Sequence, residues 1–264
     1  MLEIGPLTIH LYALCILTGI IFAVWLGRVR YKKVGGNPED ISEAATWAIP
    51  AGIIGGRLYH VITSPEKYFG KNGTPTDAFK IREGGLGIWG AISLGAFAAY
   101  LFYRRHKSSL SFPYFLDAVA PGVAIAQAIG RVGNWFNVEL FGSPTTLPWA
   151  LSVPKFDRPF GYLDFETYHP TFLYELICCS VIAFLLIKLP GKIKGLIKNP
   201  GDLFALYVAF YTAGRLWIEA LRIDEANHIF GVRLNIWVSL LVLSGSVIYL
   251  AKSRAKSENG SAAS

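Results

Sequence analysis

Residues 130–142 read Gly-Arg-Val-Gly-Asn-Trp-Phe-Asn-Val-Glu-Leu-Phe-Gly, placing a guanidinium, two amides and a carboxylate in one short stretch inside an apolar chain. If the first part is helical, Arg131 and Asn134 share a face at i, i+3, while Gly130 and Gly133 let a large ligand approach the backbone. A guanidinium and an amide together suit a phosphate oxyanion. The plainer alternative is an arginine snorkelling at a helix end, with an asparagine capping the next turn.

A second concentration runs from Tyr211 to Asp224. Arg215, Glu219 and Arg222 recur there at i, i+4 and i+7, so the spacing predicts one helical face. The same ladder also fits a solvated or self-paired helix end. In the third, His169-Pro170-Thr171-Phe172-Leu173-Tyr174-Glu175, the proline suits a first helical turn. Glu175 then falls inside an apolar segment, where a lone carboxylate is costly and calls for a partner, plausibly one of these arginines. His169 is either a base or a hydrogen-bonded helix-entry residue. Two glycine-rich pieces remain, Gly55-Gly56-Arg57-Leu58-Tyr59-His60 and Gly84-Gly85-Leu86-Gly87-Ile88-Trp89-Gly90. Neither has the strand-turn-helix setting of a nucleotide fingerprint, and close helix packing explains the glycines. Arg57 and His60, at i, i+3 in an apolar run, still suggest a site.

These residues need a bilayer-embedded frame. Of the 264 residues 53% are hydrophobic and only 16% charged, too apolar for an ordinary soluble domain. The net charge of +7 is distributed in short clusters between apolar runs, so nucleic acid is excluded as a partner. Cys15, Cys178 and Cys179 offer neither a disulfide framework nor metal-ligand spacing. A membrane-crossing helix needs about 20 apolar residues. Such stretches lie near 8–27, 42–63, 85–103, 114–131, 171–189, 201–219 and 234–251, which predicts an all-α membrane protein with seven transmembrane helices. Pro50 and Pro121 interrupt the second and fourth. The first stretch has basic residues after it and none before, which reads as a retained span and not a cleaved signal. Arg28/Arg30/Lys32/Lys33, Arg104/Arg105/Lys107, Lys188/Lys192/Lys194/Lys198 and Lys252/Arg254/Lys256 all fall on one side. By the positive-inside rule that side is cytoplasmic, putting the amino terminus outside and the carboxyl terminus inside. A seven-span transmembrane domain is expected over 1–252, with an outer-face elaboration in 132–170, followed by a disordered cytoplasmic tail over 253–264.

Together these stretches resemble the prolipoprotein diacylglyceryl transferase family over nearly the whole chain. The 130–142 run is similar to the family signature; His10-Leu11-Tyr12-Ala13, Gly55-Gly56-Arg57, Gly84-Gly85-Leu86, His169-Pro170 with Tyr174-Glu175, and Tyr211 to Arg222 follow in the family's order. The resemblance implies a multi-pass enzyme of the bacterial inner membrane. It would move the diacylglyceryl group of phosphatidylglycerol to the lipobox cysteine of a prolipoprotein signal peptide and release glycerol 1-phosphate. Membrane lipid is the milieu, and no metal or soluble cofactor is implied. Arg131 and Arg215 match the family's essential arginines, with Tyr12, Asn134, Glu139, Gly142, Tyr211, Glu219 and Arg222 in supporting positions. The catalytic set expected is Arg131, Arg215, Tyr12, Asn134, Glu139 and His169. The substrate-binding set is Arg57, His60, Trp89, Asn137, Gly142, Glu175, Tyr211, Glu219 and Arg222. One departure stands out: Trp89 occupies a position where many members have histidine, which leaves His169, His60 and Glu139 as candidates for the base. A transporter for an anionic solute is the rival class, since it too uses intramembrane arginines and broken helices.

Overall fold

A computed structural model describes residues 2–4, 7–9, 11–71, 73–80, 84–106, 108, 110–188, 197–224 and 226–262. A hairpin of β1 (Leu2–Ile4) and β2 (Leu7–Ile9) precedes α1 (Leu11–Lys33). Then follow α2 (Pro38–Thr63), the short α3 (Glu66–Phe69), a 3-10 turn (Pro75–Phe79), α4 (Ile88–Arg105) and α5 (Phe112–Phe136). A second hairpin of β3 (Leu151–Ser152) and β4 (Thr167–Tyr168) leads to α6 (Thr171–Lys188) and α7 (Asp202–Leu221). A third, β5 (His228–Ile229) with β6 (Val232–Arg233), turns at Gly231, whose φ is +75°, and enters α8 (Leu234–Ala262).

The seven long helices fall on the seven apolar stretches. Four of them, α1, α5, α6 and α8, are long and apolar enough to cross a membrane. The apolar content is diluted in α2 and α7 by charged residues within the helix, and in α4 by its glycines and the terminal Arg104 and Arg105. Three points differ from the sequence expectation. The chain is mostly helical but not purely so, since three two-stranded antiparallel sheets form where turns reverse the backbone. The first helix begins at Leu11, because residues 7–9 pair as a strand. And α8 continues through Ala262, over most of the segment expected as a disordered tail. His10, Lys107, Lys192, Lys194 and the end of the fifth apolar stretch at 189 lie outside the described residues.

The chain forms two compact units, one of Met1–Gly27 with Leu116–Ser264 and the other of Arg28–Phe115. In the second unit α2 packs along α4. Asn37 caps α2 by accepting from the Glu39 amide, and Pro38 supplies a pre-set first turn. The seam between the two helices is made of small residues. A Cβ on Gly56 would meet the Gly87 carbonyl at 3.3 Å and one on Gly95 the Ala48 carbonyl at 3.1 Å, while Gly55 and Gly90 face each other's carbonyls more tightly still. At the other end of this unit the buried Tyr31 hydroxyl lies 3.0 Å from both Tyr103 and Ser108, and Ser108 donates to the buried Asp40 at 2.6 Å.

In the first unit α1 lies against α5 through a similar seam: Gly19 faces the Ala126 backbone and Gly122 the Ala23 backbone. The core is built by Ala120 and Ala124 of α5, Ile182, Ala183 and Leu186 of α6, and Leu203, Leu206 and Tyr207 of α7. Asp117 of α5 accepts from the backbone amides of Gly201 at 2.7 Å and Phe204 at 2.8 Å, so a carboxylate sits on the positive end of α7 and fixes its depth against α5. Large apolar side chains such as Leu17, Ile21, Trp25, Phe184, Leu241 and Ile248 remain exposed on α1, α6 and α8, the surface that lipid would cover.

Candidate active site

Three helix segments of the first unit bring polar groups together. The last turns of α5 carry Arg131 and Asn134 on one face, as their spacing predicts, and Arg131 Nη1 donates to Asn134 Oδ1 at 3.1 Å. Gly133, between them, is required by packing: a Cβ there would strike the Tyr12 ring of α1 at 2.7 Å. Tyr12 is thereby held within electrostatic reach of Arg131 and Glu139. The first turns of α6 contribute Glu175, and α7 presents Tyr211, Arg215 and Glu219 at successive turns of a single face.

Glu175, only 3% exposed, is the hub. Its Oε1 accepts from Arg131 Nη2 at 2.8 Å and from the Tyr211 hydroxyl at 3.1 Å; its Oε2 accepts from Arg215 Nη1 at 3.0 Å. A carboxylate this deep requires counter-charge, and two guanidinium groups supply it. Arg215 Nη2 also forms an off-axis ion pair at 2.7 Å with Oε2 of the fully buried Glu219. Arg131 Nε is buried without a hydrogen-bond partner among the described residues. The site therefore holds two convergent cations, and Arg131 keeps a buried nitrogen unused among the described residues.

Beyond α5 the chain turns sharply around Glu139. Val138 and Leu140, on either side, both have positive φ, at 51° and 58°, which side chains with a Cβ rarely adopt. The turn is held by the Leu140 carbonyl, which accepts from Thr171 Oγ1 at 2.6 Å and the Phe172 amide at 3.2 Å. Glu139 Oε1 accepts from Asn134 Nδ2 at 2.8 Å and Asn137 Nδ2 at 3.2 Å, leaving Oε2 without a hydrogen-bond partner among the described residues. Gly142 closes the turn, pairing as a β-bridge with Arg222; its amide donates to the His169 carbonyl at 2.7 Å. A Cβ at Gly142 would sit 2.7 Å from the Leu221 carbonyl, so only glycine fits.

Not every expected residue joins this cluster. Arg222 leaves the α7 face: the helix stops at Leu221, Arg222 is extended, and its guanidinium forms a fork with Asp224 at 2.7 and 2.8 Å. The bridge to Gly142 ends the helix there, so the i+7 position never forms. Burial opposes ionisation of Asp224, but the fork from Arg222, together with Arg233, outweighs it and holds this carboxyl below its ordinary value. His169 sits at the entry to α6 with Nδ1 3.1 Å from the Tyr174 hydroxyl, which also accepts from Trp149 Nε1 at 2.9 Å. This is the hydrogen bond that the plainer reading of a helix-entry histidine expects.

Arg57, His60 and Trp89 belong to the second unit. Arg57 is buried and donates to five backbone carbonyls, among them Ala78 at 2.8 Å, Gly84 at 2.6 Å and Asp77. A guanidinium has five N–H groups, and this one spends them on holding residues 77–80 and 84–85. His60 packs edge-on to Tyr68.

Sequence reasoning missed Arg233 and Asn235, which reach Glu219 Oε1 at 2.8 and 3.0 Å from the hairpin and first turn that open α8. The available signal was an Arg and an Asn flanking Leu234 at the mouth of the last apolar stretch, positions where a polar pair is expensive.

Helices suited to a bilayer, with a buried centre of paired arginines and carboxylates, define an integral membrane protein built to handle an anionic group. A family model for prolipoprotein diacylglyceryl transferase matches residues 1–252, and the chain belongs to that family. It is 52% identical over 252 residues to phosphatidylglycerol--prolipoprotein diacylglyceryl transferase 2 of Streptomyces coelicolor, an alignment covering 96% of this chain and 78% of that one. Identity is 52% over 248 residues to the phosphatidylglycerol--prolipoprotein diacylglyceryl transferase of Cutibacterium acnes (94% and 82% covered). It is 51% over 255 residues to that of Corynebacterium glutamicum strain ATCC 13032 (93% and 79%).

Proposed function

We propose that this protein transfers the diacylglyceryl group of phosphatidylglycerol to the lipobox cysteine thiol of prolipoproteins, releasing glycerol 1-phosphate, as the first step of bacterial lipoprotein maturation. The observation that carries the reading is the convergence of Arg131 and Arg215 on the two oxygens of one carboxylate, Glu175, at 2.8 and 3.0 Å. Two guanidinium groups that close on a single carboxylate are near enough to share a single phosphate, which has the same oxyanion chemistry.

The reaction is a displacement at an sp³ carbon. The cysteine sulfur bonds to the glyceryl methylene as the bond from that carbon to the phosphate oxygen breaks; the electron pair leaves with glycerol 1-phosphate. Negative charge grows on the departing oxygen, and Arg131 and Arg215 are fixed beforehand where they stabilise it. Arg131 Nε–H, which has no hydrogen-bond partner among the described residues, is the donor held ready for a phosphate oxygen. The thiol proton must go to a base, and with tryptophan at position 89 Glu139 is the group we assign. Its Oε1 is tied to two amides, its Oε2 is open, and its backbone turn is held rigid. Tyr12, Asn134 and Tyr211 orient these groups, and Gly142 shapes the turn.

The enzyme works in the bacterial inner membrane, its seven long helices spanning it with the basic clusters inside and the amino terminus outside. Residues 1–252 form the catalytic domain. Substituting Arg131 or Arg215 with Gln, in protein that still folds and inserts, lowers lipid transfer by about 100-fold or more. Near-normal turnover in either variant removes that residue from the mechanism.

A further inference from the structure

The salt bridges of the site do not stop at Arg215. They continue as one alternating chain: Arg131, Glu175, Arg215, Glu219, Arg233, Asp224, Arg222. The chain begins and ends on an arginine, so its cations outnumber its carboxylates by one. Arg233 is its internal link. Its Nε donates to Glu219 Oε1 at 2.8 Å; Nη1 reaches the carbonyls of Asp224 at 2.8 Å and Arg222 at 3.3 Å; Nη2 lies 3.2 Å from Asp224 Oδ1. Its Nε and Nη1 donate to protein, its Nη2 pairs with Asp224, and the residue is only 9% exposed, so Arg233 acts through these partners.

Building on the proposed transfer reaction, we infer that Arg233 is a positioning residue for Arg215. Glu219 is fully buried, with one oxygen facing Arg215 and the other facing Arg233. With Arg233 in place, its charge is shared between two guanidinium groups, and Arg215 can turn its other nitrogen to Glu175 and to an incoming phosphate. Without it, Glu219 is a buried carboxylate with a single cation, and it holds Arg215 more tightly, away from the phosphate. The chain also loses its excess positive charge, which matches the single negative charge of a phosphodiester. The same guanidinium ties the hairpin before α8 to the loop after α7, so it sets the position of Glu219 as well as neutralising it.

The test uses the full-length protein in lipid-containing micelles, with phosphatidylglycerol as donor and a lipobox peptide as acceptor. Arg233→Gln is expected to lower kcat about tenfold or more, with a smaller change in KM for the lipid, less than the loss from removing a group that meets the phosphate directly. Adding Glu219→Gln removes the carboxylate that captures Arg215, so the double variant should recover several-fold over Arg233→Gln alone. Arg233→Lys keeps the charge while losing the fork, and should stay within about threefold of the parent. A folded Arg233→Gln protein with parental kcat overturns the inference, as does a folded double variant no faster than the single. Should the double variant not fold, Arg233→Lys decides: a kcat as low as that of Arg233→Gln overturns it. Arg215→Gln measured alongside separates the two levels, because full activity there sinks the transfer mechanism itself.

Discussion

Arg57 is buried and Arg131 partly so, both in helices lined with glycine, yet their surroundings assign them opposite work. Arg57 is wrapped by backbone carbonyls, which neither leave nor change charge, so it organises the loop that contains Gly84 and Gly85. Gly85 has to be glycine there: its φ is +73°, and a Cβ would meet His60 and the Arg57 guanidinium. Arg131 and Arg215 instead meet side-chain carboxylates, partners of the same chemistry as a phosphate, and Arg131 retains an unused N–H. What separates a structural buried arginine from a chemical one is therefore the exchangeability of its acceptors.

The largest effect expected from this comparison is in rate. Arg131→Gln and Arg215→Gln lose about two orders of magnitude or more of turnover while still folding, whereas Arg57→Gln lowers thermal stability first, with a rate loss per folded molecule at least about tenfold smaller. Parallel thermal denaturation and transfer assays decide, and the comparison breaks if Arg57→Gln is the more damaging to rate. Next is Glu175→Gln, which takes the buried, shared carboxylate from between two partly buried cations and should cost on the order of 3 kcal/mol of stability, read from denaturation in micelles. Gly142→Ala follows, at about 1–3 kcal/mol, because the new methyl would press on the Leu221 carbonyl and Thr171. Gly130→Ala is the control, since its Cβ would meet only Ile16 at an ordinary 3.4 Å, and it should change stability by no more than about 0.5 kcal/mol. The smallest effect concerns Asp224. Its carboxyl is held below the ordinary 3.8, so the stabilisation is complete above that pH and is lost as pH falls through the lowered value; Asp224→Asn should flatten this acid limb of a stability profile.

Much of the site was legible in spacing. The i, i+3 relation of Arg131 and Asn134 and the i, i+4 relation of Arg215 and Glu219 are local consequences of helix geometry, and both hold. Glu175 announced itself as a carboxylate in an apolar stretch that needed a partner, although spacing did not say that it would have two. Where the sequence pattern failed, a distant pairing decided. The bridge between Gly142 and Arg222 ends α7 one residue early for the expected face. Arg233 reaches Glu219 through a hairpin whose register no local rule supplies. The positive φ of Val138 and Leu140 was equally hidden, since neither residue type favours it and the turn is held by Thr171 from the next helix. Helix positions were read well because apolar runs of that length have few alternatives, while the short hairpins between them carry too few residues for an alternating pattern to register.

The most direct test is to find the lipid headgroup. Crosslinking with a phosphatidylglycerol that carries a photoreactive group on its headgroup, mapped by peptide mass spectrometry, should mark residues 130–142 and 211–219, and the marks should fade when unlabelled phosphatidylglycerol competes. Adducts confined to the basic ends around Arg104, Arg105 and Lys252, with the Arg131 and Arg215 segments unmarked, would contradict the phosphate clamp.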